Sequence, residues 1–295
     1  MGGTGNTKAS FKPTLELLAM KIDSHQHFWK YNPSDYVWMS DQHAIIKRDF
    51  LPDDLLPLLQ AGSLDGCIAV QARQMLAETD FLLELAANHS FIKGVVGWIP
   101  LYDKQVENYL EKYAKQEKIV GFRHVIHDEP DDLFILRPDF NAGIKALSHY
   151  SLCYDLLIFE RHLPQTIVFA DKHPGLRMVV DHIAKPSIGR NEFDHAWAKN
   201  IRLLAEREHV CCKLSGMVTE VEQNTWDENL LKPYFETVLE AFGPERLMFG
   251  SDWPVCLLRS TYSKWIETIS SLIAPLTSSE QAAIMGGTAE RLYLK

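Results

Sequence analysis

From Met20 to the C-terminus the chain repeats one unit eight times: a short apolar run, a loop, then a helical stretch. The apolar runs are Met20–Phe28, Cys67–Gln71, Ile92–Leu101, Ile119–Ile126, Cys153–Phe159, Leu176–Ile183, His209–Leu214 and Arg246–Gly250. Each has strand length, and most are continuous in Val, Ile and Leu, the pattern of parallel strands buried on both faces. Helical spacing follows them over Phe50–Ala61, Glu78–His89, Lys104–Lys115, Phe140–His149, Leu163–Lys172, Phe193–Arg207 and Leu230–Phe242. Pro52, the acidic pair Asp53-Asp54 and Gly62 mark the start and stop of the first of these. Ser263–Ile273 and Ser279–Tyr293 read as closing helices. Eight such units predict an α/β fold, a single (β/α)8 TIM barrel with C-terminal closing helices. A doubly wound open sheet is the alternative, but it wants fewer units and a Gly-rich first turn, which is absent.

A length of 295 residues suits one large barrel or two smaller domains. No internal shift of composition marks a boundary, so residues 20–295 read as one domain. Residues 1–19 have no apolar signal core, and their glycines lack the Gly-Lys-Ser/Thr ending of a phosphate loop. They are expected to be an extension outside the fold. A net charge of −9 and the lack of any Lys/Arg run argue against a nucleic-acid surface. No apolar stretch has the length of a membrane span. Cys67, Cys153, Cys211, Cys212 and Cys256 lie mostly in apolar runs, two of them adjacent. They read as buried thiols of a cytoplasmic protein.

In a barrel of this kind the active site lies at the C-terminal ends of the strands. The first run ends His25-Gln26-His27, and strand residues i and i+2 share a face, so both imidazoles aim at one point. Taken alone, the pair is more often two hydrogen-bonded histidines. Later strand ends change the odds: Gln71-Ala-Arg73, Arg123-His124, Asp155 followed by Glu160-Arg-His162, Asp181-His182 with Lys185, Lys213 with Ser215, and Ser251-Asp252-Trp253. His25, His27, His182 and Asp252 make a three-imidazole, one-carboxylate set suited to a single zinc or similar ion. The aromatic loop Trp29–Arg48, with Tyr31, Tyr36 and Trp38, has the length of a site cover.

His25-Gln-His27, Asp181-His182 and Ser251-Asp252-Trp-Pro254 resemble the amidohydrolase superfamily, over the whole span from Met20 onward. The wording is similar to the sugar-lactonase branch, of the L-fuconolactonase and L-rhamnonolactonase type. The similar stretches are Asp23–Trp29, Arg48–Pro52, Gly121–His124, Val180–Pro186, Lys213–Gly216 and Phe249–Pro254. Many amidohydrolases carry a carboxylated Lys on strand four and a His on strand five; here stand Arg123, His124 and Asp155. The resemblance therefore implies one divalent metal ion at most, zinc first, weakly bound or dispensable.

It further implies a hydrolase that opens a sugar-acid lactone with activated water. Asp252 is expected to move the proton. His25, His27 and His182 are expected to act on the carbonyl through a bound metal or by direct hydrogen bonds, and Arg123 and His124 to assist its oxygen or hold substrate hydroxyls. Gln71, Arg73, Asp155, His162, Lys185 and Trp253 are candidates for sugar recognition. The expected partner is a small-molecule lactone, with a homo-oligomer left open. A Gly-x-Ser-x-Gly elbow is missing, which removes support for a serine esterase. The rivals are a metal-dependent decarboxylase of an aromatic acid, which shares the barrel, and a barrel that only binds a sugar acid.

Overall fold

The structure is a computed structural model that describes residues 20–189 and 192–294. The N-terminal extension expected over residues 1–19 lies outside the described residues. The eight strands are β1 (Ile22–Gln26), β2 (Gly66–Val70), β3 (Ile92–Gly97), β4 (Ile119–Val125), β5 (Cys153–Leu157), β6 (Met178–Val180), β7 (Val210–Leu214) and β8 (Leu247–Phe249). All neighbouring pairs are parallel and follow sequence order. His27 N donating to Trp253 O (2.7 Å) and Asp252 N donating to His25 O (2.8 Å) bring the end of β8 back to β1. The predicted (β/α)8 barrel is the observed one.

The outer ring comprises α1 (Pro52–Ala61), α2 (Leu76–Asn88), α3 (Val106–Tyr113), α4 (Pro138–Leu147), α5 (Leu163–Lys172), α6 (His195–Ala205), α7 (Glu228–Phe242) and α8 (Tyr262–Ile273). Proline opens α1, α4 and α5, where its missing N–H costs nothing. Asp194, Asp227 and Thr261 cap α6, α7 and α8 through their side-chain oxygens.

Two expectations need correction. The sixth apolar run is strand only over Met178–Val180; from Asp181 it turns into the cavity. The last helix is not continuous: α9 (Ser278–Ala282) and α10 (Thr288–Tyr293) are separated by a widened turn over Ala283–Gly287. A Cβ on Gly286 would lie 1.9 Å from Met20 O, so only glycine lets this turn pack on the start of β1.

Inside the barrel the lowest layer is apolar: Ile22, Ile68, Val120, Cys153, Val179, Cys211 and Met248, with Leu292 and Tyr293 of α10 packed against it. One alternation step further along three strands come Asp155, Asp181 and Lys213, all fully buried. The barrel interior thus turns from hydrocarbon to charge just beneath the strand ends.

Candidate active site

At those ends lies a cavity of about 350 Å³ whose lining includes His27, Arg123, His182, Lys185 and Asp252. A larger surface groove lined by Leu136, Asn141, Lys145 and His173 lies between the outer helices and gathers no comparable set of ligand-type side chains. Chemistry, not size, picks the site.

The floor is built from three strand ends. His27 Nδ1 donates to Val70 O (2.7 Å), which leaves its Nε2 lone pair facing the cavity. His25 Nδ1 faces Asp181 Oδ1 at 3.2 Å, and its Nε2 turns toward the floor, where Arg123 Nη1 lies 3.3 Å away. His182 Nδ1 meets Ser215 Oγ at 2.8 Å. Asp252 Oδ1 then lies 3.3 Å from His27 Nε2, 3.8 Å from His25 Nε2 and 3.9 Å from His182 Nε2, and the two strand-one Nε2 atoms are 3.2 Å apart. Ligand atoms of a tetrahedral zinc, bound at about 2.0–2.1 Å, stand roughly 3.3 Å from one another. His25, His27 and Asp252 come near that spacing and could hold a single ion, with His182 at 3.9 Å from Asp252 standing further off. Two overlapping groups could hold a metal, His25/His27/Asp252 and His25/Asp181/His182. In the second, Asp181 is already neutralised by Arg123 Nη1 (2.9 Å) and Lys213 Nζ (3.0 Å), which favours the first.

Local backbone explains how these side chains arrive. His182, Ile183, Ala184 and Lys185 all have positive φ, a left-handed turn that sends both His182 and Lys185 toward the cavity. Trp197 Nε1 donates to Ile183 O (2.7 Å) and pins the turn from α6. Gly216, at φ +65°, passes so close that a Cβ would sit 2.6 Å from the His182 ring. Asp23 accepts from Ser251 N (2.9 Å) and Tyr262 Oη (3.0 Å), tying α8 to the junction that carries His25 and Asp252.

Beneath the floor, Lys213 Nζ lies 2.5 Å from Asp155 Oδ2, 3.0 Å from Asp181 Oδ1 and 3.3 Å from His25 Nδ1. Tyr293 Oη donates to Asp155 at 2.8 Å. Burial lowers His25 and His182 well below the ordinary imidazole value, keeping both neutral. Burial would raise Asp252, but His182 and His27 outweigh it and hold the carboxyl below its ordinary value. Burial likewise works to raise Asp181, and Lys213 and His25 override it.

Several expected site residues lie elsewhere. His124 points out of the barrel, stacked on Phe134 (4.8 Å) and bonded to Glu129 Oε1 (2.7 Å) and Trp98 Nε1 (3.3 Å). Its neighbour Arg123 takes the inward place. Asp155 is one layer too deep and is spent on Lys213 and Tyr293. Gln71 Nε2 donates to Arg123 O (3.3 Å) inside the protein. Arg73 pairs with Glu78 (2.8 Å) and Asp35 (2.7 Å), anchoring the aromatic loop to α2. His162 accepts from Phe159 N (3.1 Å) and meets Asp132 (2.9 Å). Trp253 packs edge-on against Phe50 (5.2 Å) and Phe28 (6.2 Å).

The cavity wall also holds His127, Asp128, Thr219 and Glu220, which the sequence reading missed. They sit on loops beyond β4 and β7, where no strand pattern aims them. The aromatic loop does cover the site: Trp29, Trp38 and His43 line it.

A family model described as amidohydrolase matches residues 22–295. An L-fucono-1,5-lactonase of Burkholderia multivorans is 41% identical over 292 residues, covering 93% of this chain and 96% of its own. A second, from Burkholderia ambifaria, is 35% identical, covering 94% and 96%. A solved amidohydrolase from Burkholderia multivorans with bound Zn superposes with a TM-score of 0.90 at 41% identity, over 94% of this chain and 99% of that one. The floor, the barrel and these relatives together establish that the chain belongs to the amidohydrolase family.

Proposed function

We propose that the protein is a lactonase, a hydrolase that opens a sugar-acid lactone of the L-fucono or L-rhamnono type with activated water. The observation that carries the reading is the Asp252 carboxylate facing the imidazoles of His25, His27 and His182 on the floor of the cavity. Full-length similarity to two L-fucono-1,5-lactonases supports it.

His25, His27, His182 and Asp252 would hold one divalent ion, zinc first. When bound, that ion supplies a Lewis acid for the lactone carbonyl and makes water a better nucleophile at neutral pH. The chain's own residues do the rest. Asp252 accepts a proton from the attacking water as its oxygen bonds to the carbonyl carbon. The ring C–O bond then breaks, and Asp252 returns the proton to the departing ring oxygen. Arg123, its guanidinium at the cavity wall, donates to the oxygen on which negative charge develops. Lys185 and His127 bind hydroxyls of the sugar. Asp181 and Lys213 act from below and hold His25 with its lone pair toward the floor.

Acid release from a panel of aldonolactones, with and without a chelator, tests the reading. Fast opening of L-fuconolactone is expected. Asp252→Asn should lose at least 10³-fold in kcat with an unchanged circular dichroism spectrum, since proton transfer contributes about 10²–10⁴ and the ligand set is also weakened. Turnover within tenfold of the parent rules out the base assignment. A parent protein inert on every lactone, metal supplied, but active on an aromatic acid would establish the decarboxylase instead.

A further inference from the structure

Chemical character is divided unequally around the cavity. The side formed by the ends of β4 to β7 and their loops carries the charged Arg123, Lys185 and Glu220, with the apolar Val125, Leu157 and Phe159 among them. The side formed after β8 and β1 presents Val255, Leu258, Trp29 and Trp38. These four belong to one continuous surface. The short turn Val255–Leu258 packs against the turn Asp41–Ile46 of the aromatic loop, and Trp38 lies edge-on to Trp29 (6.5 Å) and to His43 (5.4 Å). Its polar edges are partly spent: Trp29 Nε1 donates to Arg48 O (2.9 Å), and His43 Nδ1 accepts from Ser40 N (3.0 Å).

A ring whose hydroxyls face the first side and whose carbonyl sits over the floor must put its remaining substituent against the second. A methyl group there gains apolar contact. A hydroxymethyl group loses its hydration without a partner on Val255 or Leu258. We propose that the Val255–Leu258 turn with Trp29 and Trp38 is a methyl-accepting wall that selects deoxy-sugar lactones over their hydroxymethyl counterparts. This rests on the lactonase reading and names the residues that set its choice of substrate.

The test compares L-fuconolactone with L-galactonolactone, which share every stereocentre and differ only as methyl against hydroxymethyl. The parent should favour the methyl compound at least fivefold in kcat/KM; an apolar pocket gives discrimination of about 10²-fold at most against an added hydroxyl. Val255→Thr, nearly isosteric, and Leu258→Gln should each narrow that ratio at least threefold. Because the ratio is taken within one preparation, a variant that folds poorly leaves it interpretable. A parent ratio below fivefold, or variants that keep the parent's ratio, overturns the wall while leaving the lactonase reading intact. A parent that opens neither lactone overturns both.

Discussion

Lys213 is the buried cation on which two carboxylates beneath the site depend. Its ammonium sits between Asp155 (2.5 Å) and Asp181 (3.0 Å), with no exposed surface on any of the three. With Arg123 on Asp181, two carboxylates face two cations; Lys213→Met leaves two against one. Removing one partner of a buried pair costs about 3–5 kcal/mol, a large part of a total stability of about 5–15 kcal/mol. The variant has one escape, protonation of Asp155. Burial already raises that carboxyl, and Lys213 is the main influence pulling it down. In the variant the native state keeps a proton on Asp155 after the unfolded chain has released its own near 3.8. The native state then binds more protons, so stability falls as pH rises, by about 1.4 kcal/mol per unit, until the buried group ionises. Urea unfolding at pH 6, 7 and 8, at fixed ionic strength, should show a parent–variant gap that widens with pH. Adding Asp155→Asn to Lys213→Met should remove that widening and recover most of the loss. A gap under 1 kcal/mol that is flat with pH, or a double variant no better than the single, would refute this electrostatic account.

Two further outcomes are expected. Gly216→Ala adds a side chain at φ +65°, costing about 1–2 kcal/mol, and drives it into the His182 ring. Displacement of that ring by about 1 Å should lower kcat at least 10²-fold while the protein still folds; a loss under threefold would show that His182 is free to give way. His127 is held down to about 3, first by burial and then by Lys185 and Arg123. The native state refuses a proton that the unfolded chain takes near 6.5, so stability present above that value is lost as pH falls, by about 1.4 kcal/mol per unit. Between pH 7 and 5, His127→Gln should lose roughly 2 kcal/mol less than the parent in urea titrations; equal losses would place the acid sensitivity elsewhere.

The barrel and its floor were legible because they obey simple periods. Eight apolar runs at regular spacing leave little freedom of topology, and His25 with His27 follows the i, i+2 rule. Where both faces of a strand are buried, that rule stops telling in from out. In β4, Arg123 and His124 are both buried, and the pairing with β3 shifts register between Val95 and Val96. The sequence assigned both to the site; only Arg123 faces it. Asp155 illustrates a second limit. It lies on the inward face, as its spacing from Cys153 implies, yet depth along the strand decides whether a carboxylate meets substrate or a lysine. His127 and Glu220 show a third, since a loop's aim depends on what it packs against.

Strain and chemistry coincide at one place. Four successive L-residues in left-handed conformation, His182 to Lys185, cost about 1–2 kcal/mol each. No local preference of Ile183 or Ala184 favours such a turn, so tertiary contacts must hold it. Both side chains are fully buried, Trp197 clamps the Ile183 carbonyl, and Lys185 pairs with Glu220 across the rim. What the turn achieves is a change of direction that an ordinary strand end cannot make. A continuing strand would alternate its side chains and send residues three apart to opposite faces. The left-handed turn instead brings His182 to the floor and Lys185 to the wall of the same cavity. Gly216 clears the space into which the His182 ring must swing. The turn therefore belongs to the working part of the molecule, and the packing of α6 beneath it is what keeps the imidazole and the ammonium in one site.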